Sequence, residues 1–391
     1  MTKRNLLLLF AAVFTFVAGF YAGTSYLAAK ADKIKLDFHP IRSEKMVNFP
    51  IKEVEDRKEF STKVVMGYIQ DHHDPGKINY PYLSHVIFSF AHPAENGKLL
   101  FNGEHARTNL RETVRLAQKN DTKVLLAVGG WFHIRGGETY PYFQEAIYNA
   151  DSRTTLVNEL MEVVMDEHLD GVDIDFEHPR SEKDAEHLAA FIKELNAMLK
   201  AQNKELSIAV YSKVDSVTGQ ENKSVVFLPS MFKDVDYVNI MAYDGQWDGG
   251  YNAANLSPFP FAENIVGYWS RFFNENGLPK DKLVLGVPFY AQPEDPAEAP
   301  ISFSAIIKKG AENPDKDAVT IDGMTYHYNG KSTIQRKTEL ALQNDFGGMM
   351  IWEAGHDAEG AHSLGKVISE VLKESVEREK QLFWAKNNDE E

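Results

Sequence analysis

From about residue 62 onward, short and nearly unbroken apolar runs alternate with longer stretches whose apolar residues recur at helical spacing. The runs are Val64–Ile69, His85–Ala91, Lys123–Val128, Gly171–Phe176, Leu206–Tyr211, Tyr237–Ala242, Leu283–Tyr290 and Gly348–Trp352. Runs of this length without in–out alternation are the pattern of parallel strands covered on both faces. Between them, Leu156, Leu160, Val163 and Val164 share one helical face, as do Ile265, Trp269, Phe272 and Phe273. Ser181-Glu182-Lys183-Asp184 resembles a capping box, and behind it Leu188, Phe191, Ile192, Leu195, Met198 and Leu199 form an apolar stripe. Leu364, Val367, Ile368, Val371 and Leu372 form a last one. Eight strands alternating with helices predict an α/β fold, a single (β/α)8 TIM barrel over residues 62–375. The rival, an open doubly wound sheet, would carry a Gly-rich phosphate loop after its first strand, and none is present.

The flanks read differently. Lys3 and Arg4 precede an uncharged run to Ala29 whose apolar heart is Leu6 to Tyr21. That length lies between a secretory h-region and a membrane span, and no clean Ala-x-Ala site follows. Residues 1–29 are therefore expected to be a signal anchor or a signal peptide, with a slight preference for the anchor. Either one exports the barrel: it is membrane-anchored outside the cytoplasm, or secreted or periplasmic if the segment is cleaved. Residues 30–61 have no clear period and read as a linker, and 376–391 as a charged tail in which Phe383 and Trp384 offer a docking point.

Composition narrows the function classes. The 391 residues carry 42 Lys plus Arg against 57 Asp plus Glu, a net charge of −15. Phosphate backbones need a dense basic surface, so nucleic acid is a poor partner. The chain has no cysteine, which removes disulfides, thiolate metal sites and cysteine nucleophiles. There is no Gly-x-Ser-x-Gly elbow for serine hydrolase chemistry.

The fourth run carries the chemistry. In Asp170-Gly171-Val172-Asp173-Ile174-Asp175-Phe176-Glu177, period-two alternation places Asp173, Asp175 and Glu177 on one face and Val172, Ile174 and Phe176 on the other. The apolar set faces the helices, so the acids point into the barrel. Like-charge neighbours and desolvation must raise at least one carboxyl pKa, which supplies a general acid near neutral pH. Glu177, the longest and last, is best placed to reach a bond above the barrel. The triplet could instead hold a metal or form a structural network, although burying three acids for packing alone is costly.

This segment resembles the Asp-Gly-x-Asp-x-Asp-x-Glu signature of the family-18 glycoside hydrolases, the chitinase family. The resemblance extends in order from Gly67-Tyr68 through Met241-Ala242-Tyr243-Asp244 and Gly286-Val287-Pro288-Phe289-Tyr290 to Met349-Met350-Ile351-Trp352-Glu353, covering about residues 62 to 372. It implies a retaining, endo-acting hydrolase of β-1,4 N-acetylglucosamine linkages in chitin or chito-oligosaccharides. Glu177 is then the acid, Asp175 orients the substrate acetamido group, Asp173 shares a proton with Asp175, and Tyr243 hydrogen-bonds the acetamido oxygen. The N-acetyl oxygen itself is the nucleophile, an exception to the two-carboxylate scheme. Tyr68, Trp131, Met241, Asp244, Trp247, Tyr290 and Trp352 are the expected substrate-binding residues, with Trp352 flooring the sugar site; Tyr140 and Tyr142 are weaker candidates. Two alternatives share the scaffold: an endo-β-N-acetylglucosaminidase acting on the chitobiose core of N-glycans, and a non-hydrolytic chitin-binding lectin, which typically loses one acid.

Three departures from the family pattern stand out. Ala127 replaces the serine of Ser-x-Gly-Gly, removing a hydroxyl that would support Asp173. Phe176 and His178 stand where many members carry Trp and Tyr. The segment between the seventh and eighth runs is short, so the α+β insertion of some members is expected to be absent or reduced. His72, His73, His178 and His356 lack an ordered ligand spacing and read as loop or rim residues. No metal or cofactor is expected, and the protein is expected to be a monomer.

Overall fold

The computed structural model describes residues 63–309 and 314–388, with residues 382–388 as backbone only. The expected export segment at 1–29 and the linker at 30–61 lie outside the described residues, and so do the side chains of the expected docking pair Phe383 and Trp384. No helix among the described residues is long and apolar enough to cross a membrane.

The described strands are β1 (Val64–Gln70), β2 (His85–Pro93), β3 (Leu99–Leu100), β4 (Lys123–Gly129), β5 (Gly171–Asp175), β6 (Glu205–Tyr211) and β7 (Tyr237–Met241), followed by β8 (Leu283–Pro288), β9 (Tyr290–Pro293), β10 (Ile301–Ser302), β11 (Ala318–Ile321), β12 (Met324–His327) and β13 (Gly348–Trp352). Eight of them run parallel in the order β1-β13-β8-β7-β6-β5-β4-β2, and pairing of β1 with β2 closes the ring. This is the predicted (β/α)8 barrel, and each apolar run supplies one barrel strand. The helices are α1 (Gly103–Gln118), α2 (Tyr140–Tyr148), α3 (Ala150–Asp166), α4 (Glu182–Lys200), α5 (Phe259–Glu275), α6 (Phe303–Lys308), α7 (Lys331–Gln343) and α8 (Leu364–Asn388).

Packing explains the apolar runs. Val172, Ile174 and Phe176 join the layer between sheet and helices, together with Leu188, Phe191, Ile192, Leu195 and Leu199 of α4. Val64, Met66, Tyr68, Ile87, Leu125, Ala127 and Met350 fill the barrel interior. Each large buried side chain contributes about 1.5–3 kcal/mol relative to exposure. Trp269 of α5 is buried against Phe232 and directs its indole N–H to the Ser212 carbonyl, so burial leaves no donor unpaired.

Several details differ from the sequence reading. Met198 is 44% exposed, because it lies at the edge of the α4 stripe. The Ser181 hydroxyl accepts from the Asp184 N–H, but the Asp184 carboxylate accepts from the Arg180 N–H and the Tyr140 hydroxyl, so the box is half formed. The seventh run breaks after Pro288. Phe289 N–H leaves the strand to bond the Trp352 carbonyl, and Tyr290 starts a second sheet. That antiparallel sheet, β10-β9-β12-β11, with the short α6, is an α+β insertion before α7, so an insertion is present between the seventh and eighth barrel strands. The β1–β2 and β6–β7 connections carry only 3-10 turns in place of barrel helices, the first interrupted by Pro75 and Pro81. Helix α8 continues to Asn388, into the segment set apart as a tail.

Candidate active site

The C-terminal ends of the barrel strands surround an open cleft of about 1000 Å³. Tyr68, Asp175, Glu177, Tyr243, Trp131 and Trp352 line it, and Met241, Asp244 and Trp247 complete its far wall. Nine of the eleven residues expected at the site therefore meet in one cavity. The other two lie just behind the wall. Asp173 is fully buried beneath Tyr68, and the Tyr290 hydroxyl donates to Asp244 at 2.5 Å.

Asp173 is held by three donors. The Tyr68 hydroxyl approaches Oδ2 at 2.8 Å, while the Ser207 hydroxyl and the Asn239 amide approach Oδ1 at 2.5 and 3.1 Å. Burial raises its pKa to about 6, and these bonds limit the rise. Ser207 and Asn239 were not singled out in the sequence. Both are polar residues at inward positions of otherwise apolar strands, and that interruption was the available signal. The hydroxyl missing at Ala127 is thus supplied from the other side: Ala127 and Ser207 are the register partners of Asp173 on β4 and β6.

Asp175 is buried, and its Oδ1 has no hydrogen-bond partner among the described residues. Burial, then the charges of Glu177 and Asp173, push its pKa well above the usual carboxylate range. Glu177 sits half-buried at the cleft wall. Burial and then the Asp244 charge raise its pKa to about 8, against the lowering effect of the Trp131 backbone N–H. A carboxyl in that range stays protonated at neutral pH and can donate to a leaving oxygen.

Backbone geometry makes room for the acids. Gly129 and Gly130 both have positive φ at the end of β4. A Cβ on Gly129 would fall 2.1 Å from the Asp175 carbonyl oxygen, and one on Gly130 would meet the Phe90 ring at 2.9 Å. Phe90 itself stacks on Trp352 at 6.0 Å, and Tyr68 packs against the same indole at 5.5 Å. Phe90 belongs to a run whose length predicted a strand and nothing more.

Tyr243 is buried, with its hydroxyl near the Met350 sulfur at 3.7 Å. The chain beside it is pinned from below. Ser257 Oγ donates to the Ala242 carbonyl, and the buried Lys337 ammonium bonds Ser257 and Asn329 within 2.7 Å. On the opposite wall, His178 packs edge-on to Trp131 at 5.0 Å and to Tyr211 at 5.2 Å. Phe176 faces away, stacked on Phe143 and Tyr140. Tyr140 spends its hydroxyl on Asp184, and Tyr142 stacks on His133. Trp247 is 61% exposed at the rim, beside Tyr251.

A barrel with three acids on the inner face of its β5 run, opposed by a tyrosine and floored by an indole, has the components of a glycosidase site. Residues 64–357 match the model of the glycosyl hydrolases family 18. The chain belongs to that family. This family-18 hydrolase is 22% identical to Endochitinase 1 of Metarhizium robertsii over 353 residues, covering 76% of this chain and 81% of the relative. Among solved structures it resembles the chitinase ChiB from the chitin utilization locus of Flavobacterium johnsoniae, with a TM-score of 0.66 and 28% identity over 80% of this chain and 94% of that one. A chitinase of Cycas revoluta solved with (GlcNAc)3 shares the fold at a TM-score of 0.64 and 20% identity, over 79% of this chain and 99% of that one.

Proposed function

We propose that this family-18 hydrolase cleaves β-1,4 N-acetylglucosamine chains internally and with retention, acting on chitin or chito-oligosaccharides as a monomer. The observation that carries the reading is the shared inward face of Asp173, Asp175 and Glu177 below an open cleft floored by Trp352. Glu177 donates its proton to the glycosidic oxygen. The substrate's N-acetyl oxygen then attacks the anomeric carbon from the opposite face. Asp175, with one oxygen unpartnered among the described residues, receives the acetamido N–H and stabilises the developing oxazolinium charge. The Asp173 charge favours a proton on Asp175, and Asp173 is the neighbouring carboxylate that shares that proton when Asp175 engages the acetamido group; Tyr243 donates to the acetamido oxygen. Water deprotonated by Glu177 opens the ring from the face that Glu177 first protonated, which retains configuration.

Endochitinase 1 and the Flavobacterium chitinase support chitin as the substrate class. The cleft reaches solvent at Trp247, 61% exposed on its rim, which supports attack within a chain. The basic-flanked apolar run at 3–29 supports placing the barrel outside the cytoplasm, by an anchor or a cleaved signal. The test is hydrolysis of N-acetylglucosamine oligomers beside a chitobiose-core glycan, with Glu177→Gln as the paired control. Oligomer cleavage lost in the variant supports the reading. Cleavage of the glycan alone moves the substrate to N-glycans, and binding without cleavage makes the protein a lectin.

A further inference from the structure

Outside the cleft, three side chains from two distant segments converge on one point. His73 Nε2 lies 2.7 Å from Glu353 Oε1, and His356 Nε2 lies 3.0 Å from the same oxygen. One ligand atom from each residue falls within 4.8 Å of the others. None of the three lines the cleft.

The surroundings are built to hold this arrangement. Glu353 is fully buried, and its second oxygen is fixed by the Gln70 backbone N–H at 3.0 Å. Asn109 clamps the loop after β1 by donating to the Asp71 and His73 carbonyls at 2.8 and 3.1 Å. Gly355 leaves space for the imidazole, since a Cβ there would stand 2.7 Å from the His73 ring. Glu353 and His356 share one 3-10 turn, closed by the His356 N–H to the Glu353 carbonyl. Among the described residues the ion pairs to Glu353 come from these histidines, and none comes from lysine or arginine.

We propose that His73, Glu353 and His356 bind a first-row divalent cation, with zinc the best match, which clasps the loop after β1 to the loop after β13. Two imidazoles and a carboxylate are a donor set that zinc takes readily. Tetrahedral zinc with bonds of about 2.0–2.2 Å spaces its donors roughly 3.4 Å apart, so each imidazole must draw back by about half an ångström from Glu353 to admit the ion. Side chains 20% and 27% exposed leave the outer side open for entry and for a water as fourth ligand. The ion has no part in the glycosidic step. It stiffens the connection between Gln70, which lines the cleft, and the strand end that carries Trp352. Sequence spacing hid the site because His73 and His356 are 283 residues apart.

The test is calorimetric titration of the full chain with zinc chloride, repeated with His73→Ala and His356→Ala. Cobalt(II) absorption supplies a second readout that does not depend on hydrolysis. One equivalent of zinc should bind, each substitution should weaken that site at least tenfold, and the visible bands of tetrahedral cobalt should disappear with it. Zinc should raise the melting temperature of the parent chain and not of the variants. Melts in the presence of chelator check that the variants fold. His73→Asn and His356→Asn, which keep a donor for Glu353, replace either alanine variant that does not. Absence of a stoichiometric site, or a site unchanged in both variants, overturns the proposal.

Discussion

Ser207 Oγ donates to Asp173 Oδ1 across 2.5 Å, from the register position beside Asp173 on β6. The matching position on β4 is Ala127, which has no hydroxyl to give. Ser207→Ala would leave Tyr68 and Asn239 as the remaining donors to a buried carboxylate. A hydrogen bond to a charged group is worth about 1.5–3 kcal/mol, so kcat should fall roughly 10- to 100-fold. Adding Ala127→Ser should restore part of the loss. Steady-state kinetics of the single and double variants check this, and an unchanged kcat in Ser207→Ala would remove Ser207 from the proton balance.

In the proposed mechanism Glu177 must be protonated to act as the acid. Its pKa, raised to about 8 by burial and the Asp244 charge, places the alkaline limb of the rate profile near that pH. The kcat/KM profile should therefore stay high through neutrality and fall as Glu177 ionises.

The same shift affects stability. A carboxyl whose folded pKa exceeds its ordinary 4.5 contributes stability that is complete below 4.5 and is lost as pH rises through about 8. Glu177→Gln cannot ionise, so it should melt above the parent protein, with the gap widening from about pH 5 to about pH 8. Scanning calorimetry at the two pH values measures that gap, and a constant or reversed difference would contradict the assigned direction.

Trp352 lines the cleft, with Phe90 stacked on it and Tyr68 packed against it at a tilt. With Trp352 as the proposed floor of the sugar site, Trp352→Ala should lower kcat/KM on the order of 10²-fold, the scale of lost positioning. Trp352→Phe should recover most of it. Oligomer kinetics on both variants distinguish a stacking floor from a packing residue, which would show equal losses.

Much of this was legible in the chain. Unbroken apolar runs mark strands buried on both sides, and period two in one of them turns Asp173, Asp175 and Glu177 inward together. Ser207, Asn239 and Phe90 were not legible as site residues, because their importance lies in which strand becomes a neighbour, and barrel closure decides that. The same holds for Glu353 with His73 and His356, whose convergence needs β1 paired with β13. Local chemistry misled at Pro288, where the run continues but its missing N–H and the turn of Phe289 end the strand.

In the proposed mechanism, retention is substrate-assisted and driven by Glu177. Proton NMR of the first products from an N-acetylglucosamine oligomer tests it most directly, with Glu177→Gln alongside. The β-anomer should form first, and the variant should still bind the oligomer while turnover falls by about 10²–10⁴-fold. Initial release of the α-anomer, or undiminished turnover in Glu177→Gln, would contradict it.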